Sequence, residues 1–566
     1  MDAGEILCQQ GLLDRLQLDQ CRATCPPGES LLQWVVQQGK VAEDEALQSV
    51  GSAMGMDYID LARTDDIDLS LLQSFPQRII YKDTVFPIRR VNGSLIVATS
   101  DPFDLEPLDE VSATVGLSVI PVLASRQELA RVIKRHMGVG SETVDGLMAQ
   151  ADDEPVELLG EIESDGSELS EMAQEASVIR LVNEILLEAV EARSSDVHIE
   201  SQADGLVVRY RIDGMLQLQP MPAEIHRFHA AIISRLKIMA RLNIAEKRLP
   251  QDGRIKLRVA GREIDVRVSV IPMIHGESIV MRILDKGAMK FQLASLGMSE
   301  DVYKTFRELI DIPHGIVLVT GPTGSGKTTT LYSALEEIRS PEVKIITTED
   351  PVEYQLPGIN QIQVHPKIGL TFAQSLRAIL RHDPDVVLIG EIRDLETAEN
   401  AIQASLTGHL VFSTLHTNDA SSAYTRLVDM GVEPFLVAST VEAVMAQRLV
   451  RRLCKECREP YQPGREDLPK DFPWEQLQEQ GGTLMRPIGC RKCRQQGYAG
   501  RSGIYELLVN SEKIRELANA RRSSWDIRVQ AEKEGMHTLR MDGWRKVLLG
   551  ETSVDEVARV TKGDRL

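Results

Sequence analysis

An α/β fold built around a phosphate-binding loop is what this sequence predicts, on three observations. Residues 321–328 read GPTGSGKT, between an apolar run and a helix-patterned segment. Two further apolar runs, one ending at Glu349 and one at Gly390-Glu391, each close in carboxylates. Strands buried on both faces read as continuous apolar runs, and in parallel sheets ligands collect at the C-terminal ends of the strands.

Taken from the N-terminus, the first 60 residues pattern as helices with a faint repeat. Ile6-Leu-Cys-Gln-Gln-Gly11-Leu-Leu13 recurs 28 positions later as Trp34-Val-Val-Gln-Gln-Gly39-Lys-Val41, each copy an apolar turn stopped by glycine. Strands are expected at 84–88 and 94–98, with helices near 105–115 and 126–137, giving an α+β domain over 1–140. Residues 141–175 are acidic, rich in Gly and Ser and poor in basic residues, the composition of a flexible linker. A second α+β domain spans 176–290. It opens with a helix from Val178 to Arg193 and continues with strands at 196–200, 205–211, 255–259, 264–270 and 278–284, a mainly antiparallel pattern.

The α/β domain spans 291–448. Gly315–Thr320 is short, apolar and β-branched, a buried strand; Leu331, Leu335 and Ile338 recur at helical spacing after the loop. Gly321, Gly324 and Gly326 let the backbone approach an anion closely. With Pro322, Thr323 and Ser325 they form a loop whose amides, together with the helix N-terminus, cradle a di- or triphosphate. Lys327 reaches the β and γ phosphates and the Thr328 hydroxyl ligates Mg²⁺. A glycine-rich turn that binds nothing needs none of this, so the chain is read as nucleotide-binding. Glu349, Asp350 and Glu353 follow one strand and Glu391 another, at 22 to 64 positions beyond Lys327. A lone carboxylate after a strand is commonly a helix cap. Two clusters beside one phosphate loop can supply both the metal-associated carboxylate and the group that activates water.

Cys454-Lys-Glu-Cys457 and Cys490-Arg-Lys-Cys493 each place two thiolates on a tight turn. Together they suit a closed tetrahedral Zn²⁺ site, structural because four thiolates leave no open position. The 32 residues between Cys457 and Cys490 require an inserted helix or loop in this module, taken as 449–502. A helical region, 503–566, closes the chain.

Composition narrows the function. The 566 residues are 43% hydrophobic with a net charge of −20, which opposes bulk attraction to nucleic acid or anionic lipid. No apolar stretch approaches the roughly 20 residues that span a bilayer, and the N-terminus has no signal-peptide h-region. Seven cysteines, four of them in CxxC pairs, fit metal binding in a reducing compartment, so a cytoplasmic location is expected.

The strand that in many P-loop enzymes ends in Asp ends here in Gly390-Glu391. With Thr348-Glu-Asp-Pro-Val-Glu353 and Gly408-His-Leu-Val-Phe-Ser-Thr-Leu-His416-Thr-Asn-Asp419, it resembles the type II/IV secretion ATPases. Glu246-Lys-Arg-Leu-Pro-Gln-Asp-Gly-Arg254, Asp265-Val-Arg-Val-Ser269, Val280-Met-Arg-Ile-Leu284, Ser375-Leu-Arg-Ala-Ile-Leu-Arg381 and Gly535-Met-His-Thr-Leu-Arg540 carry the resemblance from Val178 to the end. It implies a RecA-like motor domain preceded by a PAS-like smaller domain, in a hexamer that hydrolyses ATP with Mg²⁺. It assigns Glu391 to the Mg²⁺ region and Glu353 to water activation, the division between the two staying open. His416, and less directly His409, would contact the γ-phosphate. Arg267 and Arg282 would reach a nucleotide from the smaller domain, Arg377 and Arg381 from the motor domain; Arg209 and Arg211 are read as structural.

The segments at 56–61, 85–88 and 95–102 resemble the family's N-terminal domain, which docks on an inner-membrane assembly protein. Recruitment to the inner membrane through such a partner is therefore implied. Some members bind cyclic di-GMP through a repeat opening with Arg; Asp2-Ala-Gly4 and Leu31-Leu32 stand in its place here, which argues against that ligand. The tetracysteine module is typical of secretion and pilus-extension members rather than retraction motors. The competing readings are a P-loop nucleic-acid translocase gripping its track with the zinc module, and a regulatory nucleotide switch. The net charge opposes the first and the carboxylate clusters the second.

Overall fold

The structure, a computed structural model, describes residues 2–26, 30–61, 67–73, 75, 79–80, 85–137, 156–158, 176–221, 225, 228–259, 261–285, 287 and 291–561. It divides into two compact units, Met1–Asp285 and Lys286–Leu566.

In the first unit, helices Ala3–Gln9, Arg15–Thr24, Leu31–Gln37 and Glu43–Met54 enclose a core that includes Leu7, Leu18, Leu32, Val35 and Leu47. The sequence repeat is a repeated helix stop: Gly11 and Gly39 follow the first and third helices at φ +75° and +65°. Such left-handed residues close helices and favour glycine. Strands β1 (Val85–Val91) and β2 (Ser94–Thr99) form a hairpin, and β3 (Ser118–Leu123) pairs parallel to β2 after helix Glu106–Val115.

The acidic 141–175 stretch, expected to be spacer throughout, contains strand β4 (Val156–Leu158). The rest of it lies outside the described residues. With β5 (Ser194–Gln202), β6 (Gly205–Ile212), β7 (Met215–Gln219), β8 (Gln251–Val259), β9 (Arg262–Met273) and β10 (Gly276–Asp285), β4 makes one antiparallel sheet, ordered β4-β8-β9-β10-β5-β6-β7. An apolar–acidic–apolar triplet is enough to pair with the edge of β8, which overall composition hides.

Helices Ala176–Glu191 and His229–Met239 share a core with Val266, Val268, Ile279 and Met281 of this sheet. Arg267 and Arg282 alternate with those residues and so belong to the opposite face. Register sets them in a cross-strand row: Arg254 opposite Arg267, Arg267 opposite Arg282, Arg282 opposite Asp196, and Asp196 opposite Arg211.

The second unit is built on a seven-stranded sheet. Its strands are β11 (Gly315–Thr320), β12 (Ile345–Glu349), β13 (Asn360–Gln363), β14 (Val386–Ile389), β15 (Leu410–Leu415), β16 (Val441–Leu453) and β19 (Tyr498–Val509). The order is β13-β12-β14-β15-β11-β16-β19, parallel except for the antiparallel β16–β19 pair. Ile316 and Leu318 enter one hydrophobic core and Val317 and Val319 another, so β11 is covered on both faces, as its unbroken apolar run demands.

The expected boundaries at 448/449 and 502/503 fall inside β16 and β19. The cysteine region is an outgrowth of this seven-stranded sheet, carrying β17 (Glu459–Tyr461), helix Trp474–Glu479 and β18 (Leu484–Arg486) between the cysteine pairs. It shares core residues Phe472, Leu477 and Leu484 with the C-terminal helices, where Phe472 meets Trp544 edge-on with ring centroids 5.3 Å apart.

Candidate active site

The phosphate loop sits between β11 and helix Lys327–Ile338. Gly321 and Gly326 adopt φ +151° and +92°. A Cβ at Gly321 would stand 2.6 Å from the Gln447 carbonyl oxygen, and one at Gly326 would stand 2.8 Å from Gln447 Nε2. Glycine is therefore required twice by close approach of β16. Gly324, at φ +78°, faces open space within 4 Å. The Ser325 hydroxyl is buried with no hydrogen-bond partner among the described residues, a polar atom left for a ligand. Lys327 Nζ donates to the carbonyls of Gly321 at 2.7 Å and Pro322 at 3.2 Å, while Thr328 is exposed. Burial, helped by the Arg448 charge and opposed by that of Glu391, lowers the Lys327 pKa to about 8.

The two carboxylate clusters play different parts. Glu349, at the end of β12, is buried and saturated: it accepts from Tyr332, from Thr347 Oγ1 at 2.6 Å and from Gln361 Nε2 at 3.1 Å. Its role is structural, whereas Glu353, four residues on, is half-buried. Glu391 follows β14, where Gly390 packs tightly against β12: a Cβ there would lie 3.3 Å from the Thr348 carbonyl. Glu391 faces His416 Nε2 at 2.9 Å and pairs with Arg393. Burial pushes the Glu391 pKa up, but these two partners outweigh it and hold the carboxyl below its usual range. Glu391, His416 and the loop thus gather at the C-terminal ends of β14, β15 and β11.

His409 is elsewhere. It precedes β15, its carbonyl accepts from the Gly315 amide at the start of β11, and its Nδ1 lies 2.8 Å from the Ala404 carbonyl. A six-residue strand, roughly 20 Å, separates it from the phosphate loop. The expected γ-phosphate contact is therefore corrected: His409 joins helix Leu395–Leu406 to the opposite end of the sheet. Arg381 is corrected on the same ground. It donates to the Arg377 carbonyl at 2.8 Å beyond the end of helix Phe372–Ile379, and the neighbouring Asp385 amide bonds Lys344, just before β12 begins. Arg377 is paired with Glu396 instead of the loop.

Residues 417–418, inside the Gly408–Asp419 motif but given no role there, and residues 447–448, which motif reading missed, complete the surroundings of the loop. Thr417 N–H donates to Thr320 Oγ1 at 2.9 Å, and Thr330 Oγ1 donates to Gln447 Oε1 at 2.8 Å. Arg448 donates to the carbonyl and side-chain oxygens of Asn418, both at 3.1 Å. Desolvation lowers its pKa. Two cations, Lys327 and Arg448, thus stand near one another at the mouth of a glycine loop, an arrangement that favours an anion. The only signal in sequence is a polar pair inside an apolar strand, 120 residues after the loop.

In the first unit, Asp196 Oδ1 accepts from Arg282 Nε at 3.2 Å, and Arg211 Nε lies 3.6 Å from Asp196 Oδ2. Arg211 and Arg282 thus share Asp196, and half of the Arg282 side chain remains exposed.

The four cysteine sulfurs all lie within 4.8 Å of one another, with Cys454–Cys490, Cys457–Cys493 and Cys490–Cys493 at 3.7 Å. A tetrahedron of Zn–S bonds of about 2.3 Å has edges of about 3.8 Å, so the donor set fits Zn²⁺. The Gly489 and Gly497 amides point at Cys457 and Cys493 sulfurs, at 3.4 and 3.2 Å, which suits thiolates.

Residues 171–559 match the type II/IV secretion system protein family. The chain belongs to that family. Residues 54–143 match the MshEN domain. The chain is 44% identical over 563 residues to type II secretion system protein E of Xanthomonas campestris pv. campestris, covering 98% of each chain. It is 40% identical to the type IV pilus assembly ATPase PilB of Myxococcus xanthus, covering 99% of each. The structure of the Yersinia pseudotuberculosis ATPase DotB matches 73% of this chain and 99% of its own, with TM-score 0.51 and 20% identity, a likeness of fold. ATP and Mg²⁺ follow from the family, and the cysteine cluster is compatible with zinc. No helix among the described residues is long and apolar enough to cross a membrane.

Proposed function

We propose that this protein is a hexameric motor that couples ATP hydrolysis to type II protein secretion or type IV pilus assembly at the cytoplasmic face of the inner membrane. The observation that carries it is the strand-end cluster of phosphate loop, Glu391 and His416 in a chain aligned end to end with a type II secretion system protein E. Lys327 and the loop amides hold the β and γ phosphates; Thr328 and Glu391 hold Mg²⁺, which supplies charge neutralisation for phosphoryl transfer. Glu353 orients and deprotonates the attacking water, and His416, linked to Glu391, contacts the γ-phosphate. Arg267 and Arg282 complete the nucleotide site of a neighbouring subunit, where guanidinium groups stabilise the charge that develops on the phosphoryl oxygens. The N-terminal domain docks on an inner-membrane platform protein, and nucleic acid is not a partner.

Subunit mixing tests this. Arg267→Ala and Lys327→Ala chains, each nearly inactive alone, regain part of the ATPase activity when mixed, at interfaces that pair an intact arginine with an intact loop. Activity that stays at the sum of the parts, while native mass spectrometry shows mixed oligomers, refutes action across the interface.

A further inference from the structure

We propose that Glu506 is a positioning residue for ATP hydrolysis, joining the segment that carries His416 to the start of helix Leu539–Leu548. The proposal rests on the reading of His416 as a γ-phosphate contact. Glu506 lies on β19 opposite Ala446, one residue before Gln447 at the phosphate loop. It is only 3% exposed. Its two oxygens serve two distant segments: Oε1 accepts from the Ala420 amide at 2.8 Å and Oε2 from the Leu539 amide at 3.1 Å.

Ala420 ends the short segment that begins at His416. On its nucleotide side this segment is held by Thr417 to Thr320 and by Asn418 to Arg448. On the far side the Ala420 amide meets Glu506. Leu539 is the first residue of its helix, so its N–H has no partner within the helix and stands at the positive end of the dipole. A buried carboxylate keeps its charge only while such donors stay in place. Burial raises the Glu506 pKa, opposed by these two amides. If the 416–420 segment shifts when phosphate arrives, Glu506 cannot be left unpaired in the interior. The start of helix Leu539–Leu548 must follow, so the C-terminal helices report nucleotide state.

Hydrogen exchange on the full-length, zinc-loaded protein tests this, without nucleotide and with Mg²⁺ plus a non-hydrolysable ATP analogue. In the wild type, protection is expected to change at 321–330, 416–424 and 536–548. Glu506→Gln sets an amide donor against a backbone donor. In this variant the 536–548 response is expected to vanish while that at 321–330 persists, with kcat at least about fivefold lower and KM within about twofold. Leu539→Pro removes the second donor, together with a buried leucine side chain, at a position where proline suits a helix after an extended Thr538; the same uncoupling is expected, with Leu539→Ala, which keeps the N–H, as the control for the lost side chain. Leu539→Pro replaces Glu506→Gln if that variant does not fold.

A wild-type response at 536–548 that is absent, or that survives in both variants, overturns the coupling. No response at 321–330 in the wild type overturns the nucleotide site instead. Full turnover in His416→Ala with the 536–548 response intact overturns the His416 reading alone.

Discussion

The phosphate loop and the cysteine centre lie along one strand, and they use polar groups in opposite ways. Near its middle β16 presses Gln447 and Arg448 against the loop; six residues after Arg448 comes Cys454. Around the loop, polar groups are left unspent beside a glycine facing open space: a Ser325 hydroxyl with no partner among the described residues and an exposed Thr328. At the cysteines four sulfurs close on one point and backbone amides turn inward toward them. A site that must bind and release keeps donors in reserve; a site that only holds saturates them.

The comparison can be broken at several points. The largest effect is expected from Lys327→Ala, which removes the charge opposite the β and γ phosphates; steady-state ATPase activity should fall about 10³-fold or more. Near-normal turnover in the purified variant would place the chemistry elsewhere. Glu391→Gln should lower turnover about 10²-fold and leave ATP affinity nearly intact, because the cradle remains. Loss of ATP binding in a calorimetric titration would make Glu391 part of the cradle instead.

Acidity sharpens the contrast further. Free Lys327 titrates near pH 8, because burial disfavours its charge, and a bound phosphate favours the charged form. Binding therefore takes up a proton above pH 8, and ATP affinity should weaken about tenfold from pH 7 to pH 9. Calorimetry in buffers of different ionisation heat measures that uptake; a flat profile would mean that Lys327 is charged throughout. The smallest effect on nucleotide is expected from metal removal. Chelation should destabilise residues 450–500, since a structural zinc contributes its binding energy to local folding, yet change the ATP Kd by less than about threefold. Protein purified without chelators that holds no zinc would remove the second half of the comparison.

Local spacing made the loop and the cysteine pairs legible in sequence, because each is a contiguous run whose backbone geometry the residue types dictate. The strand-end carboxylates were legible as a set, but not their division of labour. Glu349 becomes structural only through Tyr332, Thr347 and Gln361, contacts that arise from sheet order and not from spacing. His409 and His416 flank the same apolar run, and only the direction of β15 tells them apart. Gln447 and Arg448 were invisible because their meaning depends on β16 lying beside β11. The boundaries at 448/449 and 502/503 fall within β16 and β19 for a related reason: long strands pass from the seven-stranded sheet into the cysteine region, and composition does not mark the crossing.

The cross-strand row of Arg254, Arg267, Arg282 and Arg211 around Asp196 bears on how the chain finds its shape at all. Slide β9 by one residue against β8 and Val266, Val268 and Val270 leave the helix-covered face, while Asp265, Arg267 and Ser269 enter it. Each buried charge without a partner would cost several kcal/mol. Misaligned pairings are thus penalised, and the charges help to hold the strands in a single alignment whether or not nucleotide is bound.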